Sequence, residues 1–172
     1  MEYRMEWPDV RCIGITGQMH GMLYVDANGC AVSPLTTWED ERGNQPYREG
    51  STYAQELSAR SGYEMATGYG LTTHFYNLQN NLVPKQAAFM TTIMDYVAMR
   101  LTGRRHPMTH PTNAASFGLF DIRSGSFDKA ACRKAGIDPA ILPEVAPGES
   151  VIGRTADGIE VVSPIGDNQA GI

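Results

Sequence analysis

The sequence is poor in the residues that staple, anchor or neutralise. Its 172 residues include three cysteines, Cys12, Cys30 and Cys132, widely spaced and with no Cys-x-x-Cys among them. An odd, unpatterned count excludes a disulfide framework and offers no zinc-binding spacing. Long hydrophobic runs are lacking as well. No stretch of 18 apolar residues occurs, and the first ten residues, MEYRMEWPDV, hold no apolar segment of the secretory kind. A cationic track is also missing. Lys and Arg number 14 against 19 Asp and Glu, a net charge of −5, and no run of Lys or Arg is present. Nucleic-acid backbones and anionic membrane surfaces are therefore not expected partners. Neither GxxxxGK[ST] nor GxGxxG occurs, so no nucleotide-phosphate loop can be pointed to. The expectation is a cytoplasmic protein of a reducing compartment.

What is present suits a globular α/β fold: 42% apolar and 19% charged residues, too apolar for disorder. Residues 11–16 (RCIGIT) read as a buried strand closed by Gly17. Residues 21–26 read as a second strand, turned by Asp26-Ala27-Asn28-Gly29 into a return strand at 30–33. Helical spacing runs from Arg42 to Ser61 with Gly62 as its stop, then 64–71 read as loop and 72–81 and 84–102 as helices, the last ending at Gly103. Residues 104–116 read as a Pro/Thr/Asn loop, Ser126 as the N-cap of a helix ending at Gly136, and 139–147 as linker-like. SVIGRTA and EVVSPIGD read as two final strands. The chain ends on a glycine-rich turn directly after a strand, which reads as a piece of a larger fold.

Three segments could carry chemistry. Gly17-Gln18-Met19-His20-Gly21 lies between two strands, where α/β folds place ligand contacts, and its glycines let the backbone approach a ligand. The imidazole of His20 can donate to or accept from a sugar hydroxyl, although a structural loop histidine is the simpler reading. Trp38 and Asp40, in TWEDER, could form an aromatic and carboxylate wall for a carbohydrate; core filling and an acidic helix start are the alternatives. Asp167, in IGDNQAG, is placed either to act as a general base or to cap a following helix. Other candidates are weaker. His106 and His110 stand four apart, but Pro107 and Pro111 break the helix that would align them on a metal. Ser126 and Lys129 match a serine-lysine spacing, which capping by Ser126 explains more simply.

The segments GITGQMHGMLYVDANGCAVSPLTTWEDERG, ATGYGLTTHF, DYVAMRLTG, THPTNAASFGLFDI and PIGDNQAG, in this order, resemble the FGGY family of carbohydrate kinases, in particular its ketose-kinase branch. YGLTTHF and LPEVAPGESVIGRT lean toward sedoheptulokinase-like members. The resemblance implies an actin-like/ribonuclease H-like α/β fold, with a mixed sheet that lacks its first strands here and a second domain elsewhere. It divides the chain into a sugar-side domain at 1–163 and the start of an interdomain segment at 164–172.

By the same resemblance, Asp167 falls where the family's general base stands, and Met19, His20, Trp38, Asp40 and His74 fall where the sugar is held. Glycerol kinases carry Arg-Glu in place of Met19-His20, which points away from glycerol. The implied cofactors are ATP and Mg²⁺, whose binding motifs lie outside these residues. The implied partner is a small ketose, with a homodimer as the expected assembly of the full-length parent. A sugar-binding module without turnover is the rival reading. One departure stands out: members read Asp where this sequence has His110.

Overall fold

The computed structural model describes residues 9–48 and 50–171; most of the N-terminal segment read above for an apolar stretch, residues 1–8, lies outside the described residues. The chain opens with two-residue strands β1 (Cys12–Ile13) and β2 (Thr16–Gly17), followed by β3 (Leu23–Val25). Helices α1 (Tyr53–Ser61) and α2 (Gly70–Gln79), strand β4 (Phe89–Thr91) and helix α3 (Ile93–Thr102) come next. Then follow β5 (Met108–Thr109), α4 (Pro111–Phe117), β6 (Phe120–Asp121), β7 (Ser126–Phe127) and α5 (Lys129–Lys134). The last elements are β8 (Glu144–Val145), β9 (Val151–Arg154), β10 (Glu160–Val162), β11 (Ile165–Gly166) and the single turn α6 (Asp167–Ala170).

The strands that matter for the site run side by side. β10 pairs with β9 antiparallel and with β1 parallel, and β11 pairs with β2 parallel, Gly166 opposite Gly17. Pro164 lies between β10 and β11 and has no N–H to give to a ladder, which accounts for the break. Helix α3 packs on this sheet, its Ala98 joining Ile152 and Val161 in a small core. The main core lies among the other helices, where Leu57, Leu71, Phe75 and Phe117 are buried together with Tyr24 and Met90 from the β3–β4 pair.

Local chemistry explains where the helices start and stop. Thr52 and Gln55 form a reciprocal capping box at α1, and Thr92 accepts the Asp95 N–H at α3. Gly62 and Gly103, at φ 80° and 70°, end these helices as expected. The hairpin at 21–33 is present, with its turn held by the Asp26 carboxylate, which accepts from Asn28 and Cys30 N–H. The closing pair of strands is also present, as β9 and β10.

Several expectations need correction. The 42–61 helix is instead a short turn at Arg42–Asn44, an extended passage, and α1 from Tyr53; Pro46 and the Thr52 cap interrupt it. The helix placed at 72–81 begins two residues earlier. The 84–102 helix begins only at Ile93, because Phe89–Thr91 pairs with β3. Residues 104–107 are loop as expected, but β5 and α4 occupy most of 108–116: Pro111 takes the first position of α4, where a missing N–H costs nothing, and His110 caps it through Thr112 N–H. The imidazole thus fills the capping role an aspartate would have there. Ser126 lies in β7, and Asp128 caps α5 by accepting from Ala130 and Ala131. The 139–147 passage carries β8 and buries Leu142 and Ala146. Residues 11–16 are not a buried strand but the half-exposed edge strands β1 and β2.

Candidate active site

Strands β2 and β11 are parallel and in register at Gly17 and Gly166, so both leave the sheet at the same end. That end is where open α/β sheets form ligand crevices. The loop Gln18–Gly21 and the turn at Asp167 are brought together there from opposite ends of the chain. A cleft of about 390 Å³ results, lined by Gln18, Met19, His20, Trp38, Asp167 and Asn168. Four of the six expected site residues meet in it. Two glycines make the meeting sterically feasible. A Cβ at Gly166 would stand 2.6 Å from Met19 Sδ, and one at Gly21 would stand 2.7 Å from the Thr36 carbonyl oxygen. Gly21 thereby lets the loop lie against the segment that leads to Trp38, which is 56% exposed and lines the cleft.

His20 is the most tightly specified of these residues. Its backbone is left-handed at φ 70°, uncommon for a residue with a Cβ and of the kind that concentrates at functional sites. Ser116 holds it there: His20 N–H donates to Ser116 Oγ at 3.1 Å, and ring Nδ1 donates to the Ser116 carbonyl at 2.8 Å. A carbonyl can only accept, so Nδ1 carries a proton, which leaves Nε2 as the ring's acceptor. Tyr69 stacks on the imidazole with centroids 4.8 Å apart and planes 11° from parallel. His20 therefore offers a fixed acceptor to whatever enters the cleft.

Asp40 and His74 do not line this cleft. They stand at the ends of a partly buried chain of polar groups that ties the TWEDER segment to α2 and β3. Asp40 Oδ2 accepts from Thr73 at 2.9 Å, while Oδ1 accepts from Arg42 N–H and lies 3.4 Å from its Nε. Arg42 Nη1 donates to Asn77 Oδ1 at 2.9 Å, which leaves the Asn77 amide to donate to Tyr24 Oη at 3.3 Å. The Tyr24 hydroxyl proton then goes to His74 Nδ1, 2.8 Å away. Burial pushes His74 down to about 4, so it is neutral at pH 7 and accepts at Nδ1. Burial also pushes Tyr24 up to about 12, against the Asn77 hydrogen bond and the Arg42 charge.

Asp167 is the first residue of α6, and Gly166 is the capping residue, so Asp167 does not serve as an N-cap. Its Oδ1 accepts the Asn168 N–H at 2.9 Å, and Oδ2 has no partner among the described residues. The cleft thus combines one exposed carboxylate, an imidazole acceptor, two side-chain amides, and the side chains of Met19 and Trp38. Hydrogen-bond acceptors and amides around an apolar wall suit a polyhydroxylated molecule. A single carboxylate does not make a divalent-metal site, and among the described residues no group of three or more His, Cys, Asp or Glu converges. Sequence reasoning missed Tyr69 and Ser116, which act through a ring face and a carbonyl. Gln18 and Asn168 were signalled only as neighbours of Met19 and Asp167.

Comparison with known proteins places the fold and the family. The chain is 35% identical to the sedoheptulokinase of Mus musculus over 194 aligned positions, which cover 98% of this chain and 39% of the relative. It is 33% identical to the sedoheptulokinase of Homo sapiens, covering 93% and 37%. The chain thus spans less than two fifths of the length of these curated relatives. Among solved structures, a xyloylose kinase from Brucella ovis aligns with a TM-score of 0.77 at 23% identity, over 94% of this chain and 34% of that one. A Plasmodium falciparum glycerol kinase with ADP aligns with a TM-score of 0.75 at 24% identity, over 93% and 35%. The fold is therefore the actin-like/ribonuclease H-like one expected. Residues 2–170 match the N-terminal domain of the FGGY family of carbohydrate kinases, and the chain belongs to that family.

Proposed function

We propose that the whole protein is an ATP-dependent kinase of a ketose, sedoheptulose before xylulose, that phosphorylates a primary hydroxyl. The observation that carries this reading is the convergence of Met19, His20, Trp38 and Asp167 on one cleft at the ends of two neighbouring parallel strands. The identities of 35% and 33% to sedoheptulokinases, against 23% to a xylulose kinase of Staphylococcus xylosus, support the order of substrates. Met19-His20 in place of an Arg-Glu pair supports a ketose over glycerol.

In this reading, Asp167 takes the proton from the attacking hydroxyl through Oδ2, the oxygen left without a partner among the described residues. His20 Nε2 accepts from a second sugar hydroxyl, and Trp38 packs on the C–H face of the chain. Asp40 and His74 hold the sugar side of the domain through the network that runs between them by way of Asn77 and Tyr24. Residues 164–172 serve as the start of the interdomain segment and carry the base to the cleft. Bound ATP supplies the phosphoryl group, with Mg²⁺ neutralising its charge. The cleft residues described here fit the sugar rather than the metal.

The test is Asp167→Asn in the full-length protein, assayed by ADP release with sedoheptulose, xylulose and glycerol. Asparagine keeps the size and removes the proton acceptor, so kcat should fall by about 10²–10⁴ while the ketose KM changes little. A wild-type protein that releases no ADP with any ketose, or a near-normal kcat in the variant, overturns the reading.

A further inference from the structure

Both halves of the cleft hang from one short helix. Thr112 and Ser116 stand one turn apart on α4, about 6 Å along its axis. Ser116, 3% exposed, receives the backbone N–H and the ring N–H of His20. The Thr112 hydroxyl receives, at 3.3 Å, the N–H of Gly166, the residue that precedes Asp167. Strand alternation explains that bond: Ile165 N–H donates into the sheet to Ile15, so Gly166 N–H points away from the ladder and meets Thr112 instead. The Thr112 proton is directed to His110 Nδ1 at 2.9 Å, since the same nitrogen also accepts the Thr112 N–H. Asn113 adds a third tie through its amide to the Pro164 carbonyl at 2.9 Å. The two hydroxyl-bearing residues also line a second cavity, of about 470 Å³, which shares Met19 and His20 with the first.

We propose that Thr112 and Ser116 are paired positioning residues, fixing on one rigid turn of helix the separation between His20 and Asp167. The inference rests on the functional reading above and deepens it. Thr112 acts through Gly166 on the base, and Ser116 acts through His20 on the sugar. The consequences of loosening them therefore differ. Displacing a base by a fraction of an ångström lowers kcat, whereas releasing His20 weakens the hold on the ketose.

The experiment uses Thr112→Val, Thr112→Ser and Ser116→Ala in the full-length protein, with ketose kinetics and amide hydrogen exchange at Gly166. Thr112→Val should lower kcat by about tenfold or more with the ketose KM within about twofold, and Thr112→Ser should recover most of that loss. Gly166 should exchange faster in Thr112→Val than in wild type or Thr112→Ser. Ser116→Ala should raise the ketose KM several-fold and leave the KM for ATP alone. Equal kinetics in the valine and serine variants overturn the proposal, as does unchanged Gly166 exchange in the valine variant. If the valine variant does not fold, Ser116→Ala decides, and an unchanged ketose KM overturns the pairing. A wild-type protein silent on every ketose overturns the functional reading, and exchange at Gly166 then still shows whether the clamp exists.

Discussion

Asp95 is fully buried at the first turn of α3, and replacing it with asparagine should change how stability depends on pH. The groups that bear on it are hydroxyls. Thr92 Oγ1 donates to Asp95 Oδ2 at 2.8 Å and accepts Asp95 N–H at 3.0 Å. Thr109 lies near enough to favour the charged form, yet neither its hydroxyl nor Asp95 Oδ1 completes a well-formed hydrogen bond. Burial dominates and pushes the carboxyl from 3.8 up to about 7. A raised folded-state value means that stability is greatest where the group is protonated in both states, below about pH 4. It is lost as pH rises through 7 and then levels off. At ~1.4 kcal/mol per unit, a shift of this size corresponds to ~4 kcal/mol as an upper bound, reduced by any water that reaches the ionised group.

Asparagine has the same shape, is neutral at every pH, keeps an acceptor for Thr92 and turns a donor toward Thr109. Urea melts of wild type and Asp95→Asn from pH 4 to 8.5 isolate this group, because the other titrations cancel in the difference. The variant should gain on wild type by ~1–4 kcal/mol between pH 4 and pH 8. A difference in stability that stays flat across that range refutes the assignment.

Two further outcomes follow from the same structure. His20→Ala in the full-length protein should raise the ketose KM by an amount worth ~1–3 kcal/mol, because a sugar hydroxyl loses its acceptor, and leave the KM for ATP unchanged; unaltered ketose kinetics would make the Ser116-held ring a purely structural feature. Tyr24→Phe leaves His74 Nδ1 without its buried donor and Asn77 without an acceptor, so thermal unfolding should show a loss of ~1–3 kcal/mol; a melt indistinguishable from wild type would dissolve the network argued from Asp40 to His74.

The fold was legible where one residue type settles a local question. Gly62 and Gly103 end helices because the left-handed region suits them, and Asp26 with Gly29 makes a turn whatever surrounds it. It was illegible where pattern and partner compete. Phe89 stands four residues before Ile93 and so fits the period of α3, yet tertiary pairing with β3 draws Phe89–Thr91 into a strand. Pro107 and Pro111 read as loop because proline breaks helices, but Pro111 stands at the one helical position where it is favoured. The sheet edge misled for a similar reason. RCIGIT is apolar enough for a covered strand, and its exposure is set by which strands pair with it.

The site divides along the same line, and the division bears on how its motifs should be read. Met19, His20 and Asp167 can be picked out of a sequence because their function would be written in their side chains. Ser116 works partly through a backbone carbonyl that any residue carries, and Tyr69 through the face of a ring that reads as core. Asp40 and His74 pose the opposite difficulty. Their types suit a sugar contact, but the Asp40 oxygens are met by Thr73 and Arg42, and His74 Nδ1 accepts from the Tyr24 hydroxyl. A carboxylate or an imidazole in a motif is equally able to hold a ligand or to hold the residues that do. Only the partner on each polar atom separates the two roles: among the described residues Asp167 keeps an oxygen without one, and His20 keeps Nε2 as its unused acceptor.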